Sequence, residues 1–161
     1  MNKVEINKNI HLSEHFTLAE VCKTRVKTED GNIPSHVAIE NLKNICENWL
    51  EDLRYSHNTL YGETADEPII ITSGYRSPEV NRAVGGSPTS NHLTGCAVDI
   101  RCIGIEQALR YANILLDIAD GTKRDYDELL IERNARGNYW LHFAVRPEGN
   151  RRRTAFLSSE K

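Results

Sequence analysis

Residues 90–99 read Ser90-Asn91-His92-Leu93-Thr94-Gly95-Cys96-Ala97-Val98-Asp99, a polar loop that turns at a glycine into a strand. Side chains of a strand alternate between its two faces, so Asp99 shares a face with the small residue Ala97. The opposite face is apolar: Cys96, Val98 and Ile100. Because Gly95 lets the chain turn, His92 is expected to fold back toward Asp99.

A second histidine lies far downstream, in Trp140-Leu141-His142-Phe143. Two imidazoles and one carboxylate hold a zinc ion and leave a coordination position open for water. An open position is typical of a catalytic zinc rather than a structural one. The sequence therefore predicts a catalytic zinc site formed by His92, Asp99 and His142.

Caps and apolar spacing predict four helices around this motif. They cover about residues 18–23, 36–53, 78–84 and 105–118, and the first three begin at the N-caps Thr17, Ser35 and Ser77. The polar segments 24–33 and 56–67 are interpreted as loop and turn.

Four strands are predicted from β-branched and alternating runs. They span Pro68–Thr72, Cys96–Arg101, Tyr126–Arg133 and Tyr139–Arg146, the last two forming a hairpin. This order predicts an α+β fold with a mainly antiparallel sheet and helices packed against it. A chain of 161 residues fits one domain spanning residues 1–161.

The bulk composition excludes two classes of partner. The formal net charge of -3 does not favour nucleic acid, and no run approaches the roughly 20 apolar residues of a membrane span. Arg151–Arg153 is interpreted as a solvated tail. The polar N-terminus lacks the apolar core of a secretory signal, so we expect a cytoplasmic protein. Release by phage lysis or a place in a virion would fit the same feature.

The pattern Ser90-x-His92-x-x-Gly95-x-Ala97-x-Asp99, with Trp140-x-His142, resembles one superfamily of zinc peptidases. Its members are D-Ala-D-Ala carboxypeptidases, phage peptidoglycan endopeptidases and hedgehog signalling domains. Ser73–Ser77 and Phe16–Glu20 are also similar, and the likeness is closest to the short phage-associated branch. The resemblance implies zinc bound by His92, Asp99 and His142.

The resemblance further implies that Arg76 binds or polarises the substrate and that Ser90 lines the site. A guanidinium is a fixed, permanently charged fork that suits a carbonyl or carboxylate. At the end of a strand, Arg76 would stabilise the oxyanion that forms when water attacks an amide.

The general base does not follow directly from this resemblance. Many members carry an acid three residues before the last zinc histidine, and this chain has Tyr139 there. Glu132 is the favoured base and Glu128 the alternative; both could also be ordinary exposed strand residues. Glu132 faces the metal only if it opposes Trp140 or His142, which requires an odd-length turn such as residues 134–138. Trp140 is expected to wall the cleft or to support His142.

The leading hypothesis is a zinc-dependent peptidase that hydrolyses amide bonds in peptidoglycan stem peptides, of the D-Ala-D-Ala carboxypeptidase or endopeptidase type. The alternative, favoured by Tyr139, is a zinc-containing module that binds cell-wall peptides or a protein without turnover. A third hypothesis is a metal-free structural domain. The oligomeric state has no signal in the sequence.

Overall fold

The computed structural model describes residue 7 and residues 9–62 and 66–160. The helices are α1 (Leu18–Val21), α2 (His36–Ile45), α3 (Glu51–Tyr61), α4 (Pro78–Ala83) and α5 (Gly104–Thr122). The strands are β1 (Ile71–Ser73), β2 (Ala97–Cys102), β3 (Glu128–Arg133), β4 (Tyr139–Ala144) and β5 (Arg153–Ser158). A π-helical turn (Cys46–Leu50) joins α2 to α3, and a 3₁₀ turn (Asn91–Thr94) precedes β2.

The five strands form one sheet in the order β1-β2-β4-β3-β5. Neighbouring strands are antiparallel except β3 and β5, which are parallel. The structure therefore confirms the predicted α+β class and its mainly antiparallel sheet.

The sheet has one apolar face and one polar face, as alternation along β2 and β4 predicts. The apolar face packs on the helices and forms the core, in which Trp49 lies 5.1 Å from Phe143 between ring centroids. Sheet residues in this core include Val98, Ile100, Leu129, Ile131, Leu141 and Phe143. The polar face carries Asp99 and His142, which lie directly opposite each other on β2 and β4.

The predicted N-caps are confirmed. Thr17 and Glu20 form the reciprocal hydrogen bonds of a capping box at α1. The side chains of Ser35 and Ser77 accept from the backbone of Ala38 and Val80. These hydrogen bonds fix the first residues of α2 and α4.

Several predicted boundaries were wrong. Residues 56–61 are not a loop, because α3 continues to Tyr61 with His57 buried against the core side; residues 63–65 lie outside the described chain. The first strand begins at Ile71 rather than Pro68, and α5 extends to Thr122.

Arg151–Arg153 is not a solvated tail. Arg153 begins β5, which adds an edge strand parallel to β3. Each of the three arginines pairs with carboxylates that are distant in sequence: Asp127, Asp120, Asp125 and Glu128. The local charge of Arg151–Arg153 does not indicate these partners, because they are distant in sequence.

Within the described residues, no helix is long and apolar enough to cross a membrane.

Candidate metal centre

His92, Asp99 and His142 converge on the polar face of the sheet. Each offers one ligand atom, and these atoms lie within 4.8 Å of one another. The His92 Nε2 atom is 3.3 Å from Asp99 Oδ1, and the His142 Nδ1 atom is 3.0 Å from the same oxygen. The structure therefore brings together the three residues that were predicted from the sequence as metal ligands.

The 3₁₀ turn sets the orientation of His92. Ser90 caps the turn by accepting from the His92 backbone N–H. Gly95 ends it with φ 71°, and a Cβ atom at this position would collide with the backbone carbonyl of Ala38. The imidazole Nδ1–H donates to the Gly74 carbonyl at 2.6 Å, so its Nε2 atom is left to face Asp99. This is the arrangement that holds a ligating histidine in one tautomer.

Asp99 is held ionised by the groups around it. Burial alone would raise its pKa, but the charges and hydrogen bonds of His92 and His142 outweigh burial and hold the pKa of Asp99 well below its usual range. Arg76 adds a hydrogen bond of 3.2 Å from Nη2 to Asp99 Oδ2. One carboxylate oxygen thus faces the two imidazoles and the other faces the guanidinium.

His142 has an acceptor on each side of its ring. Nδ1 faces Asp99, and Nε2 donates to Glu128 Oε1 at 3.3 Å. Burial alone would lower its pKa, but these two carboxylates raise the pKa of His142 to about 10. A cation bound between the three ligands would take the place of the proton on Nδ1.

Glu132 lies on the same face as His142, as the odd-turn argument requires. The turn between β3 and β4 has five residues, 134–138, and the register pairs Glu132 with Trp140. The Trp140 indole N–H donates to Glu132 Oε2 at 2.6 Å. Burial, with the nearby charge of Asp99, raises the pKa of Glu132.

Glu128 has the opposite surroundings. Its carboxylate accepts from His142, Asn91 and Arg153. The hydrogen bond from His142 is the main reason that its pKa is lowered. A carboxylate bound in this way stays ionised and has little capacity to take up a proton.

Four of the candidate residues border a common cleft of about 270 Å³. Its lining includes Ser90, Glu128, Glu132 and His142, together with three arginines: Arg146, Arg151 and Arg153. Trp140 contacts Glu132, so its observed partner is the carboxylate rather than the ring of His142. A larger cavity, of about 630 Å³, is lined by Glu14, Glu51 and Asp66, none of which belongs to the metal cluster.

The donor set fits a borderline metal ion such as zinc. Two imidazole nitrogens and one carboxylate oxygen are the ligands of many catalytic zinc sites, and three protein ligands leave room for water. Tyr139, at the position of the usual acid, packs on the opposite face, 6.4 Å from the ring of Phe156. Tyr139 therefore does not compete for the metal.

The residues that surround Glu128 and His142 on β3 and β5 were not predicted from the sequence. Asp127 is fully buried and accepts from Asn91 and from both Nε and Nη2 of Arg151. Glu128 is bound by Arg153. The available signal was an adjacent pair of acids, Asp127 and Glu128, and an unexplained run of arginines after the last predicted strand.

Comparison with known proteins agrees with this geometry. No curated protein matches the sequence. A family model described as peptidase M15 matches residues 14–121, which include His92, Asp99, Arg76 and Ser90. The match ends before His142 and both glutamates, so their assignment rests on the sheet register. The family model thus covers two thirds of the chain and includes two of the three candidate metal ligands. The chain is a member of peptidase family M15, the D-Ala-D-Ala carboxypeptidase-like zinc peptidases.

Proposed function

We propose that the protein is a zinc peptidase that hydrolyses amide bonds in peptidoglycan stem peptides, of the carboxypeptidase or endopeptidase type. The observation that carries this proposal is the convergence of His92, Asp99 and His142 within 4.8 Å, with Glu132 on the same face of the sheet. Membership of the M15 family supports the peptide substrate class.

Zinc, when bound, supplies a Lewis acid that lowers the pKa of a coordinated water and polarises the scissile carbonyl. His92 and His142 present neutral nitrogens to the ion, and Asp99 presents one oxygen. Hydrogen bonds from His92 to the Gly74 carbonyl and from His142 to Glu128 orient both rings before substrate arrives.

Glu132 is assigned as the general base. Its Oε2 atom is engaged by Trp140, so Oε1 is the oxygen that takes the proton of the attacking water. A carboxylate whose pKa is raised by burial accepts that proton more readily and returns it to the leaving amine. Glu128 is the poorer candidate because three donors hold it ionised.

Arg76 is assigned to the substrate oxygen. Among the described residues its guanidinium donates through Nε to Ser73 and through Nη2 to Asp99, and these contacts fix its plane beside the metal site. The remaining N–H groups are available to a developing oxyanion or a terminal carboxylate. Ser90 lines the neighbouring cleft and contributes a polar wall.

Incubation of the purified protein with muropeptides tests this function. Mass spectrometry should detect a shortened or split stem peptide, a chelator should stop the reaction, and added zinc should restore it. Release of terminal D-Ala identifies a carboxypeptidase, and division of a cross-linked peptide identifies an endopeptidase. Bound zinc without turnover would instead favour the binding module.

A further inference from the structure

We propose that Glu128 fixes the ligating orientation of His142 and that Arg153, from the C-terminal strand β5, fixes Glu128 in turn. Both are positioning residues, because they act on the metal ligand and not on the reacting atoms. This inference rests on the proposed metal site, and it makes β5 part of that site.

The contacts form a continuous chain from β5 to the ligand. Arg153 donates from Nη1 to Glu128 Oε2 at 3.2 Å. The other oxygen of Glu128 accepts from His142 Nε2 at 3.3 Å and from Asn91 Nδ2 at 2.9 Å. Since Nε2 is engaged, His142 presents Nδ1 to Asp99 and to the metal position. A carboxylate on the far nitrogen of a ligating histidine fixes both its tautomer and its ring plane.

The pairing of strands explains why Arg153 reaches Glu128. The parallel register of β3 and β5 places these two residues opposite each other. Arg151 also approaches Glu128, at 3.8 Å, but its Nε and Nη2 donate to Asp127 at 3.0 and 2.8 Å. Arg153 is therefore the guanidinium that serves Glu128.

Charge balance makes this support necessary. Glu128 is buried, and a buried carboxylate is costly unless it is paired and hydrogen-bonded. When His142 ligates a metal it is a neutral imidazole and no longer compensates the charge of Glu128. Arg153 is permanently cationic, and its contact of 3.2 Å with Glu128 Oε2 compensates that charge.

The test is the zinc affinity of the folded protein, measured by competition with a chromophoric chelator. E128A should bind zinc about 10–100-fold more weakly than the unaltered chain, the usual cost of losing such an outer partner. E128Q keeps an acceptor for His142 and should recover most of the affinity. R153Q should weaken binding in the same direction. R152Q is the matched control, because Arg152 pairs with Asp120 and Asp125 and not with Glu128.

A second readout examines the ring itself. Two-bond ¹H–¹⁵N spectra of the zinc-loaded protein should show His142 protonated at Nε2. Unchanged zinc affinity in both E128A and R153Q, or ligation of His142 through Nε2, would overturn the proposal. If the unaltered chain binds no zinc, the proposed function itself fails, which is a distinct outcome.

Discussion

Glu128 and Glu132 stand at opposite ends of one strand, point to the same face of the sheet, and differ in almost every property that matters for chemistry. Glu128 is bound by His142, Asn91 and Arg153, and its pKa is lowered. Among the described residues Glu132 has one donor, the indole of Trp140, and its pKa is raised by burial. Strand position alone therefore does not assign a role to a carboxylate.

The two environments indicate that the number of donors distinguishes a carboxylate that stays ionised from one that is able to act as a base. Several donors stabilise the charged form and remove the driving force for taking a proton. A single donor with partial burial orients the group and leaves its basicity high. Two carboxylates with pKa values pushed in opposite directions are the usual mark of divided roles in a site.

The largest effect is expected from replacing Asp99, a ligand of the proposed metal ion. D99N replaces the charged ligand by a neutral amide, which is a poor zinc donor, so stoichiometric zinc and all turnover should be lost. Elemental analysis and the muropeptide assay measure this directly. D117N makes the same change on the exposed side of α5 and should retain both. A D99N protein that keeps one zinc per chain would contradict the ligand assignment.

A smaller loss of activity is expected from replacing Arg76. Its guanidinium contacts Asp99. R76A removes a proposed oxyanion donor and should lower kcat/KM by about 10²–10³-fold at saturating zinc. Steady-state kinetics with excess zinc separates this loss from weakened metal binding. R82A, on the exposed side of α4, is the matched control. Full activity in R76A would remove Arg76 from the site.

W140F removes the hydrogen bond that the Trp140 indole donates to Glu132 and leaves the contacts of Glu128 in place. That hydrogen bond lowers the pKa of Glu132, so its loss should raise this pKa further. A base must be ionised to act, so the acid limb of the kcat/KM profile should move to higher pH, by roughly one unit. Y139F, on the opposite face of β4, should leave the limb in place. An unshifted limb in W140F would argue against Glu132 as the titrating group.

His57 and His142 offer a second comparison, between two buried histidines. The ring of His57 has no hydrogen-bond partner among the described residues. It is 2% exposed, and burial lowers its pKa, whereas two carboxylates raise that of His142. A folded pKa below the unfolded value of about 6.5 means that the unfolded state binds more protons in acid. Protonation of His57 therefore does not affect the unfolding free energy well above pH 6.5, and it lowers that free energy as the pH falls below 6.5.

H57F should remove this acid sensitivity without changing turnover. The unfolding free energy of the unaltered chain should fall relative to H57F by up to about 1.4 kcal/mol per pH unit below 6.5. Urea unfolding of both proteins at pH 8 and at pH 5 measures the difference. Parallel pH dependence in the two proteins would contradict a buried neutral His57.

The parts of the site that follow from local rules were predictable from sequence. Alternation placed Asp99 and His142 on one face, and an odd-length turn placed Glu132 there too. The support of His142 was not predictable, because it depends on Arg153 meeting Glu128 across a parallel pairing that no local pattern encodes. The extension of α3 was missed because its last turn is largely polar, with His57 on its buried side.

Peptide hydrolysis is expected to depend on the metal site and on Glu132 as its general base. The most direct measurement is muropeptide turnover by zinc-loaded E132Q beside the unaltered chain, with zinc content determined on the same samples. Turnover should fall by about 10²–10⁴-fold, the usual contribution of a general base, while zinc stays bound. E106Q, an exposed glutamate paired with Arg110, is the matched control and should be fully active. Undiminished turnover in zinc-loaded E132Q would contradict the assignment of Glu132 as the general base.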